Sequence, residues 1–297
     1  LLIPTRKELD LSKKNDVDKW FSEFRPNLVI IAAAKVGGIY ANSNEPANFL
    51  LDNIKIQNHL IEAAWINKCK RTLFLGSSCI YPKFCEQPIS EESLLTGSLE
   101  ITNESYAIAK ISGIKLIEAL RNQYGFDGIS LMPTNLYGTG DNYHKTSSHV
   151  LPALIRRFHE AKINQDDSIT CWGTGKPLRE FLHSDDLGEA CLFVLENWDP
   201  RHQNSPKDNK GKPLTFLNVG TGLDLSISQL AHKIADIVEY KGEILWDTSK
   251  PDGTPKKQLN ISRIKELGWK PRVNLMQGLE MAYKSFQDDL KEGKLRL

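Results

Sequence analysis

Three short apolar runs constrain this chain more than any other feature: Leu28-Val29-Ile30-Ile31-Ala32-Ala33-Ala34, Leu73-Phe74-Leu75 and Ile129-Ser130-Leu131-Met132. Each is closed by glycine, proline or polar residues, and none alternates apolar with polar positions. That is the pattern of strands buried on both faces. Between the runs lie helical patterns. Residues 47–66 place Phe49, Leu50, Ile54, Ile56, Leu60, Ile61 and Ala64 at three- and four-residue spacing, and residues 105–122 do the same with Tyr106, Ala107, Lys110, Ile111, Ile114, Ile117 and Leu120. Strand, helix, strand, helix, strand predicts an α/β fold with a doubly wound parallel sheet, whose ligand chemistry lies outside the carboxyl ends of the strands.

The start of the chain departs from this rhythm. Leu1-Leu2-Ile3-Pro4 resembles another strand, and Val17 to Phe24 a helix. No GxGxxG turn occurs in the sequence. Either the sheet binds no dinucleotide, or the chain begins at its second strand and a first strand, Gly-rich turn and helix of about 30 residues are missing from it. The Met-less start favours the second expectation. After about residue 136 the loops lengthen. Helices are expected near 150–162, 186–197, 227–240 and 275–290, with strands near 169–172 and 215–219. This suggests a first domain of residues 1–136 plus about 178–200, and a smaller one of about 137–177 plus 201–297.

Composition excludes several function classes. Lys plus Arg number 38 against 37 Asp plus Glu, so no global field points to nucleic acid or an anionic membrane. An anionic ligand must be held locally. The five cysteines are odd in number and show no CxxC or Cys/His spacing, which suggests neither a disulfide framework nor a metal site and fits a reducing cytoplasm. No apolar run approaches the ~18 residues of a membrane span.

Two motifs carry chemistry. Tyr106 and Lys110 stand four apart on one predicted helix, so both project from one face. An ammonium beside a phenol favours the phenolate and lowers its pKa toward the working range of an acid or base. Upstream, Gly76-Ser77-Ser78-Cys79-Ile80-Tyr81-Pro82 follows the second apolar run, and puts the Ser77 hydroxyl at a strand tip of the same sheet. A cysteine in that position ordinarily only packs.

A strand-tip serine followed by Tyr-x-x-x-Lys resembles the short-chain dehydrogenase/reductase superfamily. Ala32-Ala33-Ala34-Lys35-Val36-Gly37-Gly38-Ile39, the Gly76 to Pro82 segment, Tyr106 to Lys110, Met132-Pro133-Thr134-Asn135-Leu136-Tyr137-Gly138 and Arg179-Glu180-Phe181-Leu182-His183 together resemble one family of its extended branch. That family is the GDP-L-fucose synthases, GDP-4-keto-6-deoxy-mannose 3,5-epimerase/4-reductases. The resemblance implies a Rossmann-type NADP-binding domain with a smaller α/β substrate domain, and a cytoplasmic homodimer that acts on GDP-4-keto-6-deoxy-mannose with NADP(H).

Carried over by position, the resemblance makes Ser77, Tyr106 and Lys110 the reductase triad, and Cys79 and His149 the proton-transfer pair of epimerisation. A thiol and an imidazole need only modest shifts to exchange protons near neutrality. Arg6 falls where the family holds the adenosine 2'-phosphate. Ala33, Lys35, Leu75, Gly76, Ser77, Lys110, Pro133, Thr134, Asn135, Leu136 and His149 fall at cofactor positions, and Arg157, Trp172, Arg179 and Asp252 at nucleotide-sugar positions. His144, His159, His183 and Cys85 are assigned no role, and Asp185 and Asp186 are expected to cap a helix. Two other readings stand beside this one: another NAD(P)-dependent nucleotide-sugar epimerase or 4-reductase, and a non-catalytic NADP-sensing protein.

Overall fold

The computed structural model describes residues 1–250 and 252–296. Its strands, in chain order, are β1 (Leu28–Ile31), β2 (Arg71–Leu75), β3 (Gly128–Pro133), β4 (Asn135–Tyr137), β5 (Ser168–Trp172), β6 (Leu178–His183), β7 (Phe216–Val219), β8 (Asp224–Ser226), β9 (Glu243–Asp247) and β10 (Lys256–Lys257). The helices are α1 (Lys14–Phe24), α2 (Ile39–Asn44), α3 (Pro46–Ile66), α4 (Glu104–Tyr124), α5 (Val150–Asn164), α6 (Ser184–Asn197), α7 (Ile227–Val238), α8 (Ser262–Glu266) and α9 (Leu275–Lys291).

The three apolar runs become neighbours. β1, β2, β3 and β7 pair in that order, all parallel, and the register sets Leu73 between Ile30 and Ile129. Leu73, Phe74 and Ile129 are fully buried, each contributing about 1.5–3 kcal/mol by removal from water. Helices α3 and α4 cover one face. Gly113 on α4 makes their close approach possible, because a Cβ there would lie 2.8 Å from the Phe74 ring and 3.0 Å from the Gln57 side chain. Gln57 then donates from α3 to the Ala109 carbonyl at 2.6 Å. The helix that carries Tyr106 and Lys110 is thus pinned against β2. Pro46 starts α3, where no N–H is required, and Gly125 ends α4 in the left-handed region at φ 69°.

A second core gathers α5, α7, α9 and β5 around Phe158, Leu230, Ile234 and Phe286. β6 pairs with β4, β10 and, antiparallel, β8, while β5 pairs with β9. Two expectations need correction. Leu1 to Pro4 is not a strand: Leu1, Leu2 and Ile3 are exposed and pair with no strand among the described residues, and an apolar run becomes a strand only where a neighbour offers a ladder. The segment 201–297 does not lie wholly with the smaller core either. Phe216, Leu217 and Val219 on β7, with Leu259, Ile261, Ile264 and Trp269, pack into the first core, because β7 completes the parallel sheet beside β3.

Candidate active site

The chain leaves β2 through Gly76, whose N–H donates to Leu131 O at 2.9 Å; a Cβ there would sit 2.4 Å from the Met132 sulfur. Any side chain at that exit would have to displace the end of the Met132 side chain. The Ser77 hydroxyl accepts the Cys79 N–H at 3.2 Å and caps a short helical turn, Ser78–Ile80. Beyond the turn, the Tyr81 phenol donates to Asn218 Oδ1 on β7 at 2.6 Å, within the buried interior. Anchored at both ends, the turn presents Ser77 and Cys79 to α4.

On α4, Lys110 is 3% exposed. Its Nζ donates to the Leu75 carbonyl at 2.8 Å and lies 4.8 Å from the Phe74 ring centroid and 5.8 Å from that of Tyr106. Burial depresses its pKa to about 8. Tyr106 is shifted the other way: burial and the neighbouring Cys79 push the phenol up, and the Ser77 hydroxyl offsets part of this. The expected lowering of Tyr106 by Lys110 is therefore corrected. Desolvation outweighs the ammonium, which is held on a backbone carbonyl rather than on the phenol. At neutral pH Tyr106 is a protonated donor.

Cys79 is not a packing thiol. Asn103 Nδ2 and Lys257 Nζ each donate to its sulfur at 3.3 Å. Burial would raise its pKa, but the Lys257 charge, the Ser77 hydroxyl and Arg179 outweigh it, and the net shift is downward. Pairing of β10 with β6 sets Lys257 opposite Arg179. Asn103 is the N-cap residue of α4, yet its side chain caps nothing and turns to the sulfur. His149 is likewise the N-cap of α5 without a capping bond. Its side chain reaches solvent while surrounding protein, and then Lys257, lower its pKa. The field of one lysine thus reaches both members of the expected proton-transfer pair. Lys257 and Asn103 escape a reading of the sequence, since Lys256-Lys257 looks like solvated charge and Asn103 like a cap.

Of the four residues expected to hold the nucleotide sugar, Trp172 lies on β5, Arg179 on β6, Asp252 in the segment that leads to β10, and Arg157 on α5. Trp172 ends β5, 59% exposed, with Lys250 Nζ 5.7 Å from its ring centroid. Arg157, on α5, donates to the Thr170 carbonyl of β5 and lines a cleft of about 230 Å³ with Arg156, His144 and Lys145. Arg179 donates to the backbone carbonyls of Leu178 at 2.9 Å and Asp252 at 3.4 Å. The Asp252 carboxylate accepts both the N–H and the hydroxyl of Thr174 at 2.7 Å, fixing the turn after Trp172.

Of the cofactor positions, Ala33 and Lys35 follow β1. Asn53 clamps the Lys35 backbone with two 2.9 Å hydrogen bonds, and the Lys35 ammonium meets Glu45 at 2.7 Å. Leu75 and Gly76 close β2. Pro133, Thr134, Asn135 and Leu136 bridge β3 and β4, where Thr134 and Asn135 donate to the Glu180 carbonyl at 3.2 and 2.8 Å. Arg6 is exposed in a turn closed by Glu8 on Thr5, not just after a strand. The α6 cap is the His183 ring, which accepts the Asp185 N–H, whereas the Asp186 carboxylate accepts from Arg272 and Val273.

Residues 3–205 match the NAD dependent epimerase/dehydratase family. GDP-L-fucose synthase 1 of Arabidopsis thaliana is 51% identical over 283 residues, 95% of this chain and 84% of that protein. A GDP-6-OMe-4-keto-L-xylo-heptose reductase from Campylobacter jejuni superposes with a TM-score of 0.90 at 36% identity, covering 97% of this chain and 90% of that one. An NADP-bound GDP-L-fucose synthetase from Naegleria fowleri superposes with a TM-score of 0.84 at 26% identity, covering 100% and 87%.

Proposed function

The chain belongs to the NAD dependent epimerase/dehydratase family and, within it, to the GDP-L-fucose synthases, and from that premise we propose that it converts GDP-4-keto-6-deoxy-D-mannose to GDP-L-fucose. It inverts C3 and C5 and then reduces the C4 ketone with NADPH. The observation that carries this reading is the Cys79 sulfur, held by two N–H donors beside the Ser77, Tyr106 and Lys110 triad. A plain 4-reductase has no need of such a thiol.

The triad residues fit a nicotinamide cofactor. Lys110 carries three N–H donors and has one protein acceptor among the described residues, so two remain for ribose hydroxyls at the tip of β2. Ala33, Lys35, Leu75 and Pro133 to Leu136 border the same end of the sheet. When bound, NADPH supplies the hydride to C4. Tyr106, kept protonated by its raised pKa, hydrogen-bonds the C4 oxygen together with Ser77 and passes it a proton as the ketone becomes an alcohol.

Epimerisation uses the same two donors differently. They stabilise the enolate oxygen that forms when a proton leaves C3 or C5, next to the ketone. Cys79, shifted toward thiolate, removes that proton. His149, open to solvent, takes a proton from water and returns it to the opposite face. Arg157, Arg179 and Trp172 supply the cations and the aromatic face that a guanine diphosphate requires.

A homodimer paired through α3 and α4 is supported by the apolar side chains these helices leave exposed, Leu51, Ile66, Ile108 and Tyr124. The function is tested by incubation with GDP-4-keto-6-deoxy-mannose and NADPH. The expected result is one NADPH oxidised per sugar and a product with L-galacto configuration by NMR. A product still in the D-manno series would leave a reductase only.

A further inference from the structure

Lys256 and Lys257 are consecutive on β10 and so point to opposite faces. Lys256 finds a carboxylate, Asp224, at 3.2 Å. Lys257 finds none within ion-pair distance among the described residues; the one hydrogen bond of its ammonium there runs to the Cys79 sulfur at 3.3 Å. A neutral thiol is a weak acceptor, whereas a thiolate suits two N–H donors and a cation. Here the sulfur has all of these, with Asn103 as the second donor and Arg179 set beside Lys257 by the β6–β10 register. A cavity of about 20 Å³ lined by Cys79, Lys257, Asn103 and Glu100 adjoins the contact.

We propose that Lys257 is a positioning residue that holds Cys79 as the thiolate, and so makes it the base of the epimerisation steps. The inference rests on the proposed role of Cys79 in proton transfer. It adds a residue remote in sequence, whose partner is the sulfur rather than the sugar. The charged and titratable groups facing Cys79 are Lys257 from β10, Arg179 from β6 and Tyr106 from α4, with Ser77 on its own turn. Glu100, the nearest carboxylate lining the cavity, is engaged by Lys83 at 2.9 Å. The sulfur is thus set between two cations and a protonated phenol.

The test follows Cys79 itself. The pH dependence of iodoacetamide alkylation is measured on the Cys79 peptide by mass spectrometry, without substrate, in the unmutated protein and in Lys257→Met and Lys257→Arg. In the unmutated protein Cys79 should alkylate with a lower pH midpoint than Cys85, whose thiol burial pushes up. Lys257→Met should raise the Cys79 midpoint by about one unit or more, with Lys257→Arg restoring part of it. An unchanged midpoint in Lys257→Met, or a Cys79 midpoint at or above that of Cys85 in the unmutated protein, overturns the inference. Solvent deuterium entry at C3 and C5 is then measured across the same pH range. It should fall in Lys257→Met near neutral pH and recover in alkali. A midpoint that moves while deuterium entry does not would leave the lysine's hold on the thiolate standing, and would overturn Cys79 as the base.

Discussion

Replacing Lys110 by Met should remove reduction and yet make the protein at least as stable. The side chain is 3% exposed, and burial takes its pKa from the ordinary 10.5 to about 8. Keeping the ammonium charged in that setting costs about 3 kcal/mol near neutral pH. Met has a similar length and needs no desolvation. It does strand the Leu75 carbonyl, which now accepts from Nζ at 2.8 Å, at a cost of about 1–3 kcal/mol. The expected balance near neutral pH is a variant about 0–2 kcal/mol more stable than the unmutated chain.

The pH dependence has a definite sign. The pKa of Lys110 is lower in the folded chain than in the unfolded one, so the folded state binds its proton less tightly. The stabilisation is complete above 10.5 and is lost as pH falls through about 8. Going from neutral to about pH 9.5 the unmutated protein should gain about 2 kcal/mol relative to Lys110→Met. Urea unfolding without cofactor, followed by the fluorescence of the six tryptophans, reads this difference. A variant less stable by more than about 1 kcal/mol near neutral pH, or a gap that does not change with pH, would mean that the buried ammonium carries no such desolvation cost.

Tyr106→Phe should abolish NADPH oxidation while nucleotide binding persists, and unchanged turnover would remove Tyr106 from the proposed role. Glu180, fully buried, accepts the N–H groups of Thr221, Gly222 and Leu259 at 2.6, 2.7 and 2.8 Å. Glu180→Gln turns one acceptor into a donor against a donor, so urea unfolding should show a loss of about 2–4 kcal/mol. A loss near zero would mean these three bonds do not hold the loops after β7 and β10. Both Cys79 and His149 are shifted downward, and in the proposed epimerisation exchange at C3 and C5 needs thiolate and imidazolium together. Its optimum should therefore lie on the acid side of that for an unperturbed thiol–imidazole pair; an optimum on the alkaline side contradicts the assignment.

The parallel sheet is legible because both-faces burial leaves unbroken apolar runs, and its helices because α3 and α4 keep a helical period. Which lobe a strand joins is not written locally. β7 reads as a strand, but only the tertiary fold shows that its partner is β3, far upstream. β10 is two lysines long and exists because β6 offers it a ladder, so the cation it aims at Cys79 has no periodic signal. The spacing of Tyr106 and Lys110 correctly predicts a shared face. It misses the sign of the phenol's shift, because burial and the competing Leu75 carbonyl belong to the packed sheet. For Asp252, expected at a nucleotide-sugar position, the structure adds bonds to Thr174 that shape the turn beside Trp172.

In the proposed function one cleft holds two separable chemistries, and Cys79 serves only the first. Incubating the Cys79→Ser protein in deuterium oxide with NADPH and either GDP-4-keto-6-deoxy-mannose or the ketone already inverted at C3 and C5 tests this directly. The inverted ketone should be reduced, whereas the natural one should neither acquire deuterium at C3 and C5 nor yield GDP-L-fucose. Deuterium entry at the unmutated protein's rate would contradict it.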